Sequence, residues 1–180
     1  LLRAWTLVYF GNLLGALATA ILVFASAHYR LNGGLVGATV LGIANAKAGL
    51  PAWPLFLLAV LCNVLVCLAV WMSFSARNTM DKVMVIVPCV AVFVAAGFEH
   101  SIANAFLLPY ALLIKAGAGA DFWSLLSQSP AQYETLNAMS SIRNVLIATG
   151  GNLLGGSLLV GGIYWLVYLR KSAVTTPGPR

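Results

Sequence analysis

The chain has 180 residues, 61% of them apolar and 8% charged, with a net charge of +6. Soluble domains carry about 25% charged residues, so this balance excludes a soluble globular domain, a disordered chain and a disulfide scaffold. The ten Lys and Arg residues stand singly between apolar stretches rather than in a patch, which excludes a nucleic-acid partner and makes the lipid bilayer the solvent to reason about. Cys62, Cys67 and Cys89 lie inside apolar runs, without Cys-x-x-Cys spacing or a nearby His. They read as small packing residues, and no metal or other cofactor is expected. The opening segment lacks the basic, apolar and small-residue succession of a signal peptide. A first residue Leu1 that runs straight into an apolar helix is expected of a fragment.

Charge-free runs mark the spans. Residues 4–29, 48–76 and 144–169 contain no Lys, Arg, Asp or Glu, and a crossing helix needs about 20 apolar residues. The first span is predicted over about 4–27, with Trp5 and Tyr9 toward one end as interfacial aromatics. Residues 28–53 read as a Gly-rich connection that carries Lys47 between Asn45 and Gly49. The second span covers about 54–75, with Trp53 and Trp71 toward its ends, and holds Asn63 and Val66.

The third span is of another kind. Between Lys82 and Lys115 only Glu99 and His100 interrupt 32 residues, leaving 16 apolar-rich residues before them and 14 after. A straight helix of that length reaches about 48 Å at about 1.5 Å per residue, against a hydrocarbon core of about 30 Å. One crossing over 83–115 is therefore predicted, broken near 97–101, with Glu99 and His100 near the midplane. Gly97 frees the backbone there, and Ser101 suits the start of the second half. Residues 116–143 form a polar connection, the fourth span covers 145–169 with Tyr164, Trp165 and Tyr168 toward its end, and 171–180 reads as a disordered tail.

The whole describes a single transmembrane domain over 1–170 of the all-α class, with four crossings and both termini on one side. That side collects six Lys and Arg against four on the other, a vote for cytoplasmic termini. The pentapeptide GNLLG occurs at 11–15 and again at 151–155. Small residues at this spacing serve helix packing. The added identity of Asn12 and Asn152, in spans of opposite direction, favours an inverted repeat, which with a broken helix is transporter or channel architecture.

Glu99 and His100 are the ionisable residues deep in a span, where a charge is costly and its default reading is functional. The alternative for Glu99 is a carboxylate that bonds broken backbone. His100 stands at the N-terminal end of a half-helix, where exposed N–H groups and the helix dipole favour an anion. An imidazole there can donate a hydrogen bond or pass a proton. Phe93, seven residues earlier and on about the same helical face, is a candidate apolar gate or a core aromatic. Asn63 and Asn104 line a pore or join helices, and spacing leaves both readings open.

These residues resemble a known family. Gly97-Phe98-Glu99-His100-Ser101-Ile102-Ala103-Asn104 is similar to the signature of the formate/nitrite transporter family at its broken fifth helix. The segment from Asn63 to Met72 resembles that family's fourth helix, and Gly151-Asn152 with Gly155-Gly156 and Tyr164-Trp165 its sixth. Gly11-Asn12 with Gly15 looks like its third, and Met80-Asp81-Lys82 and Phe122-Trp123 look closer to the formate channels than to the nitrite branch.

The resemblance implies an aquaporin-like inverted-repeat helical bundle and a homopentamer with one pore per protomer, in the bacterial cytoplasmic (inner) membrane. It implies transport of small monovalent anions, formate first, with no enzymatic activity. It makes His100 the central pore histidine, Glu99 its acidic neighbour, Phe93 and Val66 the two constrictions, Lys47 the lysine that draws anions inward and Asn152 a pore asparagine. The family's first two helices have no counterpart here, so the chain is expected to be a fragment. The alternatives are a nitrite or hydrosulfide channel of the same fold, or a non-transporting membrane-anchor or assembly subunit. A haem anchor between His28 and His100 is disfavoured, because one lies at a span end and the other at mid-span.

Overall fold

The computed structural model describes residues 2–170, so the tail expected over 171–180 lies outside the described residues. Seven helices and two short 3-10 turns make up the described chain, with no strand among the described residues. In chain order they are α1 (Leu2–Ala25), α2 (Leu35–Ala48), α3 (Ala52–Ser73), α4 (Thr79–Ala95), α5 (Ser101–Gly117), α6 (Ala120–Leu125) and α7 (Ala138–Leu169). The later part of α7 winds as a π-helix over Leu154–Gly161 and Trp165–Leu169.

Helices α1, α3 and α7 are each long and apolar enough to cross a bilayer. Over the stretch expected as one broken crossing the chain forms two helices, α4 and α5, each of 17 residues, or about 26 Å at the usual rise. Both reach further than the charge pattern suggested. The α4 helix begins at Thr79, because the Asn78 side chain accepts from the Asp81 N–H at 2.9 Å and caps it.

Two connections hold more structure than the charge pattern suggested. Residues 35–48 form α2 rather than a Gly-rich loop. Its buried residues Gly37, Leu41, Ala44 and Ala48 repeat at helical spacing, and at 14 residues it is too short to register as a span. The α7 helix starts seven residues before the expected 145. There Asn137 and Ser140 form a reciprocal cap: the Ser140 N–H donates to Asn137 Oδ1 at 3.0 Å and the Asn137 N–H to Ser140 Oγ at 3.1 Å.

The described chain divides into two compact units, one from residues 2–52 with 101–146, the other from residues 53–100 with 147–170. The segments interleave and share one apolar composition, so no linker marks the division.

In the first unit α1 packs along α5. The core joins Ala20, Leu41, Ala44, Leu108, Ala111 and Ile114 to an aromatic group of Tyr29, Phe122 and Trp123. Tyr29 stacks on Phe24 at 5.4 Å and meets Phe122 edge-on at 5.1 Å. A Cβ on Gly37 would stand 2.8 Å from Phe122 Cζ and 2.9 Å from the Tyr29 carbonyl oxygen, so glycine admits this approach. At the surface Arg30 Nη1 pairs with Asp121 Oδ2 at 2.6 Å. That bond holds the Asp121 carboxyl below its ordinary range. Its contribution is present above the ordinary carboxylate range and is lost as pH falls through the lowered value. Both side chains are exposed, so the pair adds little to stability.

In the second unit the backbone of α7 lies directly on α3. A Cβ on Gly151 would fall 2.6 Å from both the Ala59 Cβ and the Phe56 carbonyl oxygen, and one on Gly155 would run into the Val60 carbonyl. Trp71 meets Tyr164 and Tyr168 edge-on at 5.8 and 6.1 Å, an aromatic cluster of the kind that sits at a membrane interface. By contrast, a Cβ on Gly11 or Gly15, which the sequence also suggested for packing, would meet nothing within 4 Å among the described residues.

Because the atoms facing Gly155 are backbone and cannot rotate away, Gly155→Leu is expected to cost about 1–3 kcal/mol or more. Thermal unfolding of the detergent-solubilised protein checks this; an unchanged melting temperature would disprove the close α3–α7 seat.

Candidate functional site

The break after α4 is a defined helix ending. The Gly97 N–H donates to the Val94 carbonyl at 3.1 Å and the Phe98 N–H to the Phe93 carbonyl at 3.0 Å, with Gly97 at φ +68°. This is the Schellman pattern, in which a left-handed residue satisfies the last carbonyls of a helix. In a bilayer that matters doubly, because lipid offers the freed groups no partner. Nothing crowds the Gly97 Cβ position within 4 Å, so the requirement for glycine is conformational.

The turn also explains how Phe93 reaches His100. The sequence placed them on one helical face, yet α4 ends at Ala95 and they do not share a helix. Across the turn the His100 imidazole lies nearly parallel to the Phe93 ring, with centroids 6.0 Å apart and 25° between planes. Both side chains are half-buried. An imidazole backed by an aromatic face keeps its nitrogens at the ring edge, where they can donate to or accept from a small polar species.

Glu99 is 1% exposed. Its carbonyl accepts from Asn152 Nδ2 at 3.0 Å. The same amide donates to the Ala59 carbonyl on α3 at 2.8 Å. Asn63, one turn further along α3, donates back to the Asn152 carbonyl at 2.5 Å. Asn152 is 7% exposed, and its amide nitrogen serves two backbone carbonyls. The structure thus brings Asn63, Asn152, Glu99, His100 and Phe93 into one connected group. Val66 lies half-buried on α3, three residues after Asn63.

Lys47 and Asn104 belong to the other unit. Lys47 is half-buried in the last turn of α2. Asn104, in the first turn of α5, donates to Asn144 Oδ1 at 2.8 Å, and Asn144 Nδ2 donates to the Lys47 carbonyl at 3.0 Å. Asn144 was not among the residues the sequence singled out. Its signal was available: an amide residue eight positions before Asn152 on the same helix, hidden because it sat at the expected edge of a span. His28 lies exposed in the turn after α1. Among the described residues no group of His, Cys, Asp and Glu is placed to hold a metal ion, and the three cysteines are free thiols.

The chain resembles known proteins in sequence and in fold. The sequence pattern of the formate/nitrite transporter family matches residues 1–166. The formate channel FocA of Escherichia coli (strain K12) is 44% identical over 173 residues, covering 96% of this chain and 61% of that protein. A solved pentameric formate channel with formate bound superposes with a TM-score of 0.89 at 44% identity, over 94% of this chain and 67% of that one. A solved ion channel of the same family gives 0.69 at 31% identity, over 88% and 56%. The chain spans about three fifths of the length of the curated relatives it matches.

Two substitutions probe the break. Gly97→Ala keeps the space but forces a left-handed alanine, at about 1–2 kcal/mol. Asn152→Leu leaves the buried Glu99 and Ala59 carbonyls without this donor and is expected to cost about 1–3 kcal/mol. Thermal unfolding measures both; a neutral Asn152→Leu would mean that the amide does not hold the segment.

Proposed function

Since the chain belongs to the formate/nitrite transporter family, we propose that it forms part of a transmembrane channel for small monovalent anions, with formate as the preferred one. The protein is an integral membrane protein, with three helices among the described residues long and apolar enough to cross. In this reading it works as a homopentamer in the bacterial cytoplasmic membrane, each protomer has its own pore, and both ends of the chain face the cytoplasm. Formate and the pentamer come from the relatives, among them the formate channel of E. coli and the pentameric structure with formate bound.

The observation that carries the reading is the His100 ring, held against Phe93 at a helix break. A bare anion in a low-dielectric passage loses several kcal/mol of solvation. The chemistry that removes this cost is local. Lys47 raises the local concentration of the anion. Phe93 and Val66 form apolar constrictions that reject hydrated ions. His100 donates a hydrogen bond to the carboxylate, or gives it a proton, so that formate passes as formic acid and the imidazole takes up another proton from water. Asn152 and Asn63 fit this scheme as holders of the segment that carries His100, since their amides serve backbone. Glu99 fits as its buried acidic neighbour, and Asn104 as a holder of the start of α5.

The full-length protein in liposomes tests it. Formate entry is expected to rise as pH falls, above that of nitrite or hydrosulfide. His100→Ala is expected to remove the pH dependence. A variant with the parent's pH profile would end the relay; flux of nitrite or hydrosulfide without formate would move the substrate; no anion flux at all would favour an assembly role.

A further inference from the structure

The C-terminal end of α2 is gripped at three points. Asn45 takes the Leu136 N–H on its side-chain oxygen at 3.1 Å, and the Thr135 hydroxyl lies 2.7 Å from the same atom. The Leu50 carbonyl accepts from Arg143 Nη1 at 3.0 Å. The Lys47 carbonyl accepts from Asn144 Nδ2 at 3.0 Å, and from the Leu50 N–H at a longer 3.3 Å. Helix-end carbonyls lack intrahelical donors, so such side chains decide where the last turn sits.

The three grips are not equal. Thr135 is exposed, and the Leu136 N–H and Arg143 bonds are only part-buried, so water competes there. Asn144 is 0% exposed, and the Asn104 that holds its other end is 2% exposed. Its amide orientation follows from the network: the nitrogen must face the Lys47 carbonyl, which leaves the oxygen to accept from Asn104. Among these three grips, Asn144 alone holds the peptide of Lys47, and it is itself held from the first turn of α5.

We infer that Asn144 is a positioning residue for Lys47: it sets the placement from which that ammonium attracts the anion, without touching the anion. The inference rests on the proposed role of Lys47 in anion attraction.

The test uses the full-length protein in liposomes. Asn144→Ala is expected to raise the half-saturating formate concentration about three- to tenfold, with maximal flux and pH profile retained. Lys47→Gln is expected to do the same, and Asn144→Ala added to Lys47→Gln to do nothing more. An additive effect in the double variant overturns the inference. Asn144→Ser, whose hydroxyl is too short to bridge both partners, replaces the alanine variant should that one fail to fold. A second measurement is independent of transport. In a protein freed of Cys62, Cys67 and Cys89, the reaction rate of a charged thiol reagent at Lys47→Cys is compared with and without Asn144→Ala. A several-fold change supports the positioning role, and an unchanged rate overturns it whatever the flux shows. Should Lys47→Gln leave half-saturation untouched, the anion-attraction role of Lys47 fails on its own, and the thiol rate still decides whether Asn144 places it.

Discussion

A helix that stops inside a bilayer must find partners for its own backbone, and the break between Ala95 and Ser101 depends on that constraint. The left-handed Gly97 closes the last carbonyls of α4 through Gly97 and Phe98 N–H groups. Asn152 then serves the Glu99 carbonyl. The imidazole of His100 is placed by this pairing. It lies at the end of a segment in which the Gly97 and Phe98 N–H groups and the Glu99 carbonyl are bonded, against the Phe93 ring. A side chain on a frayed turn would hold no such orientation.

The same constraint governs the amides. The side-chain amides of Asn63, Asn104, Asn144 and Asn152 bond to backbone carbonyls or to one another. An unpaired amide in an apolar interior is costly, and a paired one ties two elements at a fixed separation. In the unit with α3 they join that helix, α7 and the break. In the unit with α5 they join the start of that helix, α7 and the end of α2. Amides make good ties in such surroundings because they carry both donor and acceptor without a charge to desolvate.

The repeated GNLLG shows how little a short motif decides alone. At 151–155 both glycines lie on the backbone of α3, and the asparagine between them is buried and bonded. At 11–15 the glycines meet nothing within 4 Å among the described residues, and Asn12 is exposed. Identical residues on apolar helices take different surroundings because packing belongs to a pair of surfaces, and the pentapeptide supplies only one of them.

Composition was enough for the class: with 8% charged residues the chain has no way to cover itself with water, and charge-free runs marked α1, α3 and the later part of α7. Family membership was legible in the residues around Glu99-His100, and the break itself in a stretch too long for one crossing yet too polar at its centre for an unbroken one. Lengths near the threshold were not legible. The α2 helix, at 14 residues, looks like a loop to a count of apolar runs, and the start of α7 hid behind Arg143. Partners were less legible still. That Phe93 meets His100 across a turn, that Asn152 gives its amide to Ala59 and Glu99, and that Asn144 holds Lys47 are matters of three-dimensional proximity between residues 7, 53, 93 and 97 positions apart. Periodicity reports which face a side chain takes on its own helix. Which carbonyl waits on the opposite side is settled only when the helices pack.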